Sequence, residues 1–190
     1  MMKRHKIVLQ YNAPFSLTFA LISLGALILG IVTDGETTIK YFSVYRASLA
    51  DPLTYLRFFS HVLGHASVAH YTGNIILILV LGPSLEENYG SYTILFATLI
   101  TALVAGLIHF IFFSNALLGA SGIVFMMLIM ASLGGMRSGG IPLTLLFVFI
   151  FYIGGEIYDG FVLADNVSQL THIVGGICGA VLGIIIRNRK

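Results

Sequence analysis

Four polar residues stand where the chain otherwise avoids polarity: His70, Asn74, Ser121 and His172. Ser121 lies in "ALLGASGIVF", residues 116–125, between Gly119 and Gly122 and at the point where an apolar helix should begin. A hydroxyl there sits beside the unpaired N–H groups of a helix N-terminus, which stabilise an anion. His70 and Asn74 are four apart, so on a helix they project from one face, one turn apart. His172 follows Ser168 by four residues, near the outer end of the last apolar run. A hydroxyl, an imidazole and two further hydrogen-bonding groups at similar depth are the inventory of acyl transfer. The plain alternative for any one of them is packing, since a serine in an apolar helix usually bonds back to a carbonyl one turn away.

The elements that must position these groups are membrane helices. The 190 residues are 57% hydrophobic and 9% charged, far from the roughly 25% charged residues of soluble domains. Mean hydropathy is +0.96. A net charge of +2 gives no electrostatic support for nucleic-acid binding, and a single cysteine, Cys178, excludes an internal disulfide. With no linker composition, residues 1–190 read as one domain with short basic tails at 1–10 and 187–190. Runs near the roughly 20 residues that a bilayer core requires give six spans: 15–33, 71–82 with a polar shoulder, 92–113, 121–134, 141–158 and 168–187. The first follows "MMKRHK", yet it is too long for a signal-peptide core and "TDGETT" offers no cleavage site, so it reads as a transmembrane helix.

Six spans put both termini on one side. The termini and the connections at 83–91 and 134–140 carry seven Lys and Arg: Lys3, Arg4, Lys6, Arg137, Arg187, Arg189 and Lys190. The other side carries three, Lys40, Arg46 and Arg57, with six of the eight acids, Asp34, Glu36, Asp51, Glu156, Asp159 and Asp165, on or near it. The positive-inside rule then makes both termini cytoplasmic, with loops 34–60, 114–120 and 159–167 outside.

Two spans are short. Residues 121–134 make a helix of about 20 Å, against a core of about 30 Å, so "SNALLGA" must descend into the membrane as irregular backbone. That is tolerated only where protein or water surrounds it. Residues 71–82 show the same shortage, which predicts that "SHVLGHASVAH" also enters the membrane from outside. In the last span Gly175, Gly179 and Gly183 form a small-residue stripe that admits a close helix neighbour. Periodicity does not name that neighbour; if it is the Ser121 helix, His172 approaches the hydroxyl.

The stretches "RFFSHVLGHASVAHYTGN" (57–74), "LGPSLEENYG" (81–90), "GASG" (119–122) and "THIVGGICG" (171–179), in this order, resemble the rhomboid family of intramembrane serine proteases. The resemblance implies a six-helix all-α membrane bundle with short internal helices around a water-accessible cavity. It implies Ser121 as nucleophile, His172 as general base, and His70 and Asn74 with the Ser121 N–H as oxyanion stabilisers. Gly119, Gly122, Phe125, Gly175 and Gly179 would support the site. It also implies cleavage of transmembrane-protein substrates in or near their spans, without cofactor or metal, in the cell (inner) membrane with the site open to the extracytoplasmic side. The chain departs from the family in lacking the Trp of a Trp-Arg pair in the first outer loop, and in having Phe125 where relatives often have Tyr. Asp165, seven residues before His172, reads as a solvated loop acid, which leaves a Ser–His dyad.

Other polar residues read as structural. His61 and His65 have metal-ligand spacing but suit loop ordering better. His109 reads as interfacial, Glu86 and Gly90 as ordering the inner turn, and Phe147, Phe149 and Phe151 as lipid-facing or gating bulk. Two functions compete with the protease: a histidine metal site, which lacks H-E-x-x-H, and a catalytically silent relative that escorts transmembrane helices.

Overall fold

The structure is a computed structural model that describes residues 10–135 and 166–187, with the isolated helical positions 143, 146, 147 and 150 between them. Apart from those positions the expected fifth span lies outside the described residues, as do Phe149, Phe151, Glu156, Asp159, Asp165 and the basic tails.

Helix α1, Pro14–Val32, begins on a proline, whose missing N–H falls where no intrahelical partner exists. It turns Phe15, Phe19, Ala26 and Leu27 inward and leaves Leu21, Ile22, Ile28 and Leu29 exposed. A left-handed turn at Asp34 and Gly35 leads into α2, Glu36–Phe42. Helix α3, Pro52–Ser60, is capped by Asp51, whose carboxylate accepts from Leu53 N at 3.0 Å, and is followed by a 3₁₀ turn, His61–Leu63. Helices α4, Val68–Tyr89, and α5, Ser91–Phe112, meet at a tight turn on Gly90, whose φ of 85° suits only glycine well. Helix α6, Ser121–Gly135, and helix α7, Asn166–Arg187, complete the described chain.

Helix α6 is the axis of the bundle. Val124, Met126, Met127, Leu128 and Met130 are all fully buried, because α4, α5 and above all α7 pack around it. A helix apolar on every side has no solvent face to offer, and here none is needed.

Three helices, α1, α4 and α5, are long and apolar enough to cross a membrane, and two shorter apolar helices cover 121–134 and 170–186. Two expectations are corrected. The second span is not short: α4 runs 22 residues, and polar turns at both its ends, which apolar counting excludes, are helical. Ser67 caps it by accepting from His70 N at 3.1 Å, so the irregular segment ends before His70. The outer segment 34–60 is not a plain loop, since it holds α2 and α3; helices of 7 and 9 residues lie below the length at which periodicity speaks.

The inner turn is ordered as expected by Glu86. Its carboxylate accepts from Phe15 N and Ser16 N, both at 2.9 Å, and from the hydroxyls of Ser16 and Ser91. Helix α1 has Ala13 at its N-cap and no local side-chain cap. A buried residue 70 positions away therefore caps it, with negative charge at the positive end of the helix dipole.

Candidate active site

The segment before Ser121 is irregular but not unsatisfied. Val44 and Leu117 exchange both backbone bonds of an antiparallel bridge, at 2.9 and 2.8 Å. Gly119 N donates to His61 O at 3.0 Å, and His109 Nε2–H donates to Asn115 O at 2.7 Å. Protein thus takes the place of water around this descending backbone, which is the condition for such a segment at membrane depth. His109 is corrected from interfacial to buried: it is 1% exposed and stacks on Phe113 at 5.3 Å. Its signal was a lone polar residue one turn from the end of an apolar helix, which by itself does not reveal the loop folded back over it.

Gly119 requires glycine twice over. Its φ is +123°, and an ideal Cβ there would lie 2.8 Å from the His70 ring. The imidazole of His70 therefore rests against the backbone two residues before Ser121. One turn further along α4, Asn74 is buried, and its Nδ2 donates to His70 O at 3.0 Å.

Ser121 opens α6 half-buried, and the first intrahelical bond runs from Val124 N to Ala120 O at 3.0 Å. The N–H groups of the turn it begins have no carbonyl one turn back, as at any helix start. The glycine stripe of α7 faces this helix. An ideal Cβ at Gly175 would lie 2.1 Å from Gly122 O, one at Gly179 2.5 Å from Met126 O, and one at Gly183 2.7 Å from a Leu133 methyl. Gly122 returns the contact, since a Cβ there would lie 2.9 Å from Thr171 Cγ2. Backbones at this separation carry His172 to the head of α6, where its ring stacks on Phe125 with centroids 4.3 Å apart and planes 12° off parallel. His172 is 6% exposed.

Among the described residues, the two remaining histidines order their own loop. His61 Nδ1–H donates to Arg57 O at 3.1 Å and His65 Nδ1–H to Leu63 O at 3.2 Å. Burial holds both rings well below the usual histidine value, at about 4. Among the described residues no three His, Cys, Asp or Glu side chains cluster as metal ligands. A hollow of about 450 Å³, bounded by the end of α1, α2, His65 and Leu118, lies beside the descending segment; neither Ser121 nor His172 lines it.

Arg57 is the residue whose weight spacing did not reveal. It is 4% exposed, donates from Nε to Lys40 O at 2.7 Å, pairs with Asp51 at 3.2 Å and lies 4.6 Å from the Tyr45 ring centre. The outer segment that lacks tryptophan is thus packed around a buried guanidinium held by a carbonyl, a carboxylate and a ring face.

Residues 52–189 match the Rhomboid domain, which covers well over half of the chain. The chain is 31% identical over 140 residues to Rhomboid-related protein 1 of Caenorhabditis elegans, covering 68% of this chain and 39% of that one. It is 29% identical over 184 residues to rhomboid protease GlpG of Klebsiella pneumoniae, covering 93% of this chain and 65% of that one. Rhomboid-like protein 15 of Arabidopsis thaliana is 23% identical over 192 residues. This chain belongs to the rhomboid family, as an integral membrane protein whose described residues are built on helices. It spans about two fifths to two thirds of the length of these three relatives.

Proposed function

We infer that this protein is an intramembrane serine endopeptidase, with Ser121 as nucleophile and His172 as its general base. The observation that carries the reading is the backbone contact of α6 with α7, which brings the stacked pair Phe125 and His172 to the helix end that bears Ser121. In this reading His172 takes the serine proton as the hydroxyl attacks a peptide carbonyl, then returns it to the leaving amine. The oxyanion is met by the Ser121 N–H at the head of α6, by His70 against Gly119, and by Asn74. The face of Phe125 and the close walls of the two helices hold the imidazole, so a dyad can dispense with an orienting carboxylate.

Substrates in this reading are transmembrane proteins. A membrane helix protects its peptide bonds with its own hydrogen bonds and must unwind before attack. Glycine and other weak helix formers near the outer end of a span lower that cost. In this reading both termini lie in the cytoplasm and the site opens to the opposite side, an orientation that the distribution of Lys and Arg supports.

The test is cleavage of a purified single-pass membrane protein, with product masses locating the cut. Ser121→Ala and His172→Ala should each abolish turnover and labelling by an acylating serine reagent, with the double variant little worse, since members of one catalytic unit are non-additive. Wild-type protein that binds the substrate but neither cuts it nor labels would favour the silent helix-binding relative.

A further inference from the structure

His70 enters the chemistry through its ring, yet among the described residues no hydrogen bond fixes that ring. The bonds of His70 are backbone bonds: its N donates to Ser67 Oγ at 3.1 Å, and its O accepts from Asn74 Nδ2 at 3.0 Å. The orientation of the imidazole is therefore left to packing. One neighbour is Gly119, where an ideal Cβ would stand 2.8 Å from the ring. The other is the ring of His65, with centroids 5.1 Å apart and planes at 72°, the edge-to-face arrangement that aromatic rings favour.

His65 is itself firmly held. It is 2% exposed, its Nδ1–H is bonded to Leu63 O, and its ring packs edge-to-face on Tyr71 at 5.5 Å. Tyr71 is tied in turn by its hydroxyl to Ala20 O of α1 at 3.0 Å. His65 Nε2 is buried and makes no hydrogen bond among the described residues, so towards its neighbours this ring acts as a flat surface and not as a polar partner. On its far side lies the hollow of about 450 Å³, which His65 lines with Leu118, Thr38 and Asp34 and which His70 does not line. The His65 ring thus stands between the His70 imidazole and the space into which that imidazole could turn. We propose that His65 is a positioning residue, the wall that keeps the His70 ring on Gly119 and within reach of the oxyanion. The oxyanion rests on the protease reading; the wall does not.

Loop ordering and ring packing separate by substitution. His65→Asn keeps a donor for Leu63 O and removes the ring, whereas His65→Phe keeps a ring and removes the donor. His65→Asn should lower kcat by roughly 10- to 10²-fold with KM little changed, short of the loss of an oxyanion donor outright, and His65→Phe should recover most of it. In a His70→Ala background the loss should vanish, because His65 acts only through that ring. Acylation of His70 by diethyl pyrocarbonate, followed by peptide mass, reads the wall without any cleavage: His65→Asn should speed it several-fold, and His65→Phe should leave it near the wild-type rate. His65→Gln carries the same test should the asparagine variant fail to insert. Recovery by Asn and not by Phe, a loss in kcat that persists undiminished without His70, or unchanged His70 acylation in His65→Asn would each overturn the proposal. Absence of cleavage by the wild type would instead count against the protease reading, and the acylation rates would still decide whether His65 holds the ring.

Discussion

The contact between α6 and α7 can be strained by single methyl groups. At Gly179 a Cβ would lie 2.5 Å from Met126 O and 2.9 Å from Met126 Cα, both backbone atoms that no rotamer change can move. Restoring an ordinary contact of 3.4 Å requires the helices to part there by about 0.9 Å. At Gly175, opposite Gly122 O at 2.1 Å, the separation needed is about 1.3 Å, one turn from His172. Overpacking of this kind costs about 1–3 kcal/mol, which a bundle of this size survives. Catalytic geometry is less forgiving, because a misplacement of about 1 Å costs on the order of 10²-fold in rate. Gly179→Ala should therefore insert normally and lose about 10²-fold in cleavage of a single-pass substrate, Gly175→Ala somewhat more, and Gly179→Leu nearly everything. Gly176 is the internal control: on the same helix, the nearest atom to its Cβ would be Ile129 Cγ1 at 4.0 Å, so Gly176→Ala should act like wild type. Reagent labelling of Ser121 should fall in parallel with cleavage. Full activity of Gly175→Ala and Gly179→Ala, or equal loss in Gly176→Ala, would refute the argument that this contact sets the position of His172.

If Asn74 serves the oxyanion, Asn74→Ala should lower kcat by roughly 10²–10³ with a smaller change in KM; an unchanged kcat beside poor folding would leave it a structural role only. Glu86→Ala strips the cap from α1 and leaves buried donors unpaired, each worth about 1–3 kcal/mol, so a melt in detergent should show the largest stability loss of any substitution outside the site. His61, in the connection before α4, should make stability depend on pH. Burial, its largest cause, holds the folded ring at about 4 against 6.5 when unfolded, so the folded state is favoured above pH 6.5 and loses up to about 3 kcal/mol as pH falls towards 4. Melts at pH 7.5 and 5 should show His61→Gln losing less on acidification than wild type, and an identical loss would count against this assignment.

Hydropathy alone located α1 and α5 to within a residue or so, because a bilayer selects spans by composition over about 20 residues and needs no knowledge of neighbours. The short helix after Ser121 and the stripe on α7 were legible for similar local reasons: length and four-residue spacing belong to one helix. The extent of α4 was not, because His70, Asn74 and Glu86 are polar groups whose burial depends on partners elsewhere. The same limit hid the rest. Val44 pairs with Leu117, Glu86 caps α1 from α4, His109 is covered by Asn115, and Arg57 gathers the outer segment, all across separations that carry no periodicity. The sequence by itself determined which residues could form the site and which helix had room for a close neighbour. Only the tertiary structure decided that the neighbour is α6 and that the His70 ring lies on Gly119, because long-range pairing is chosen by the packing of the whole bundle and not by any one segment.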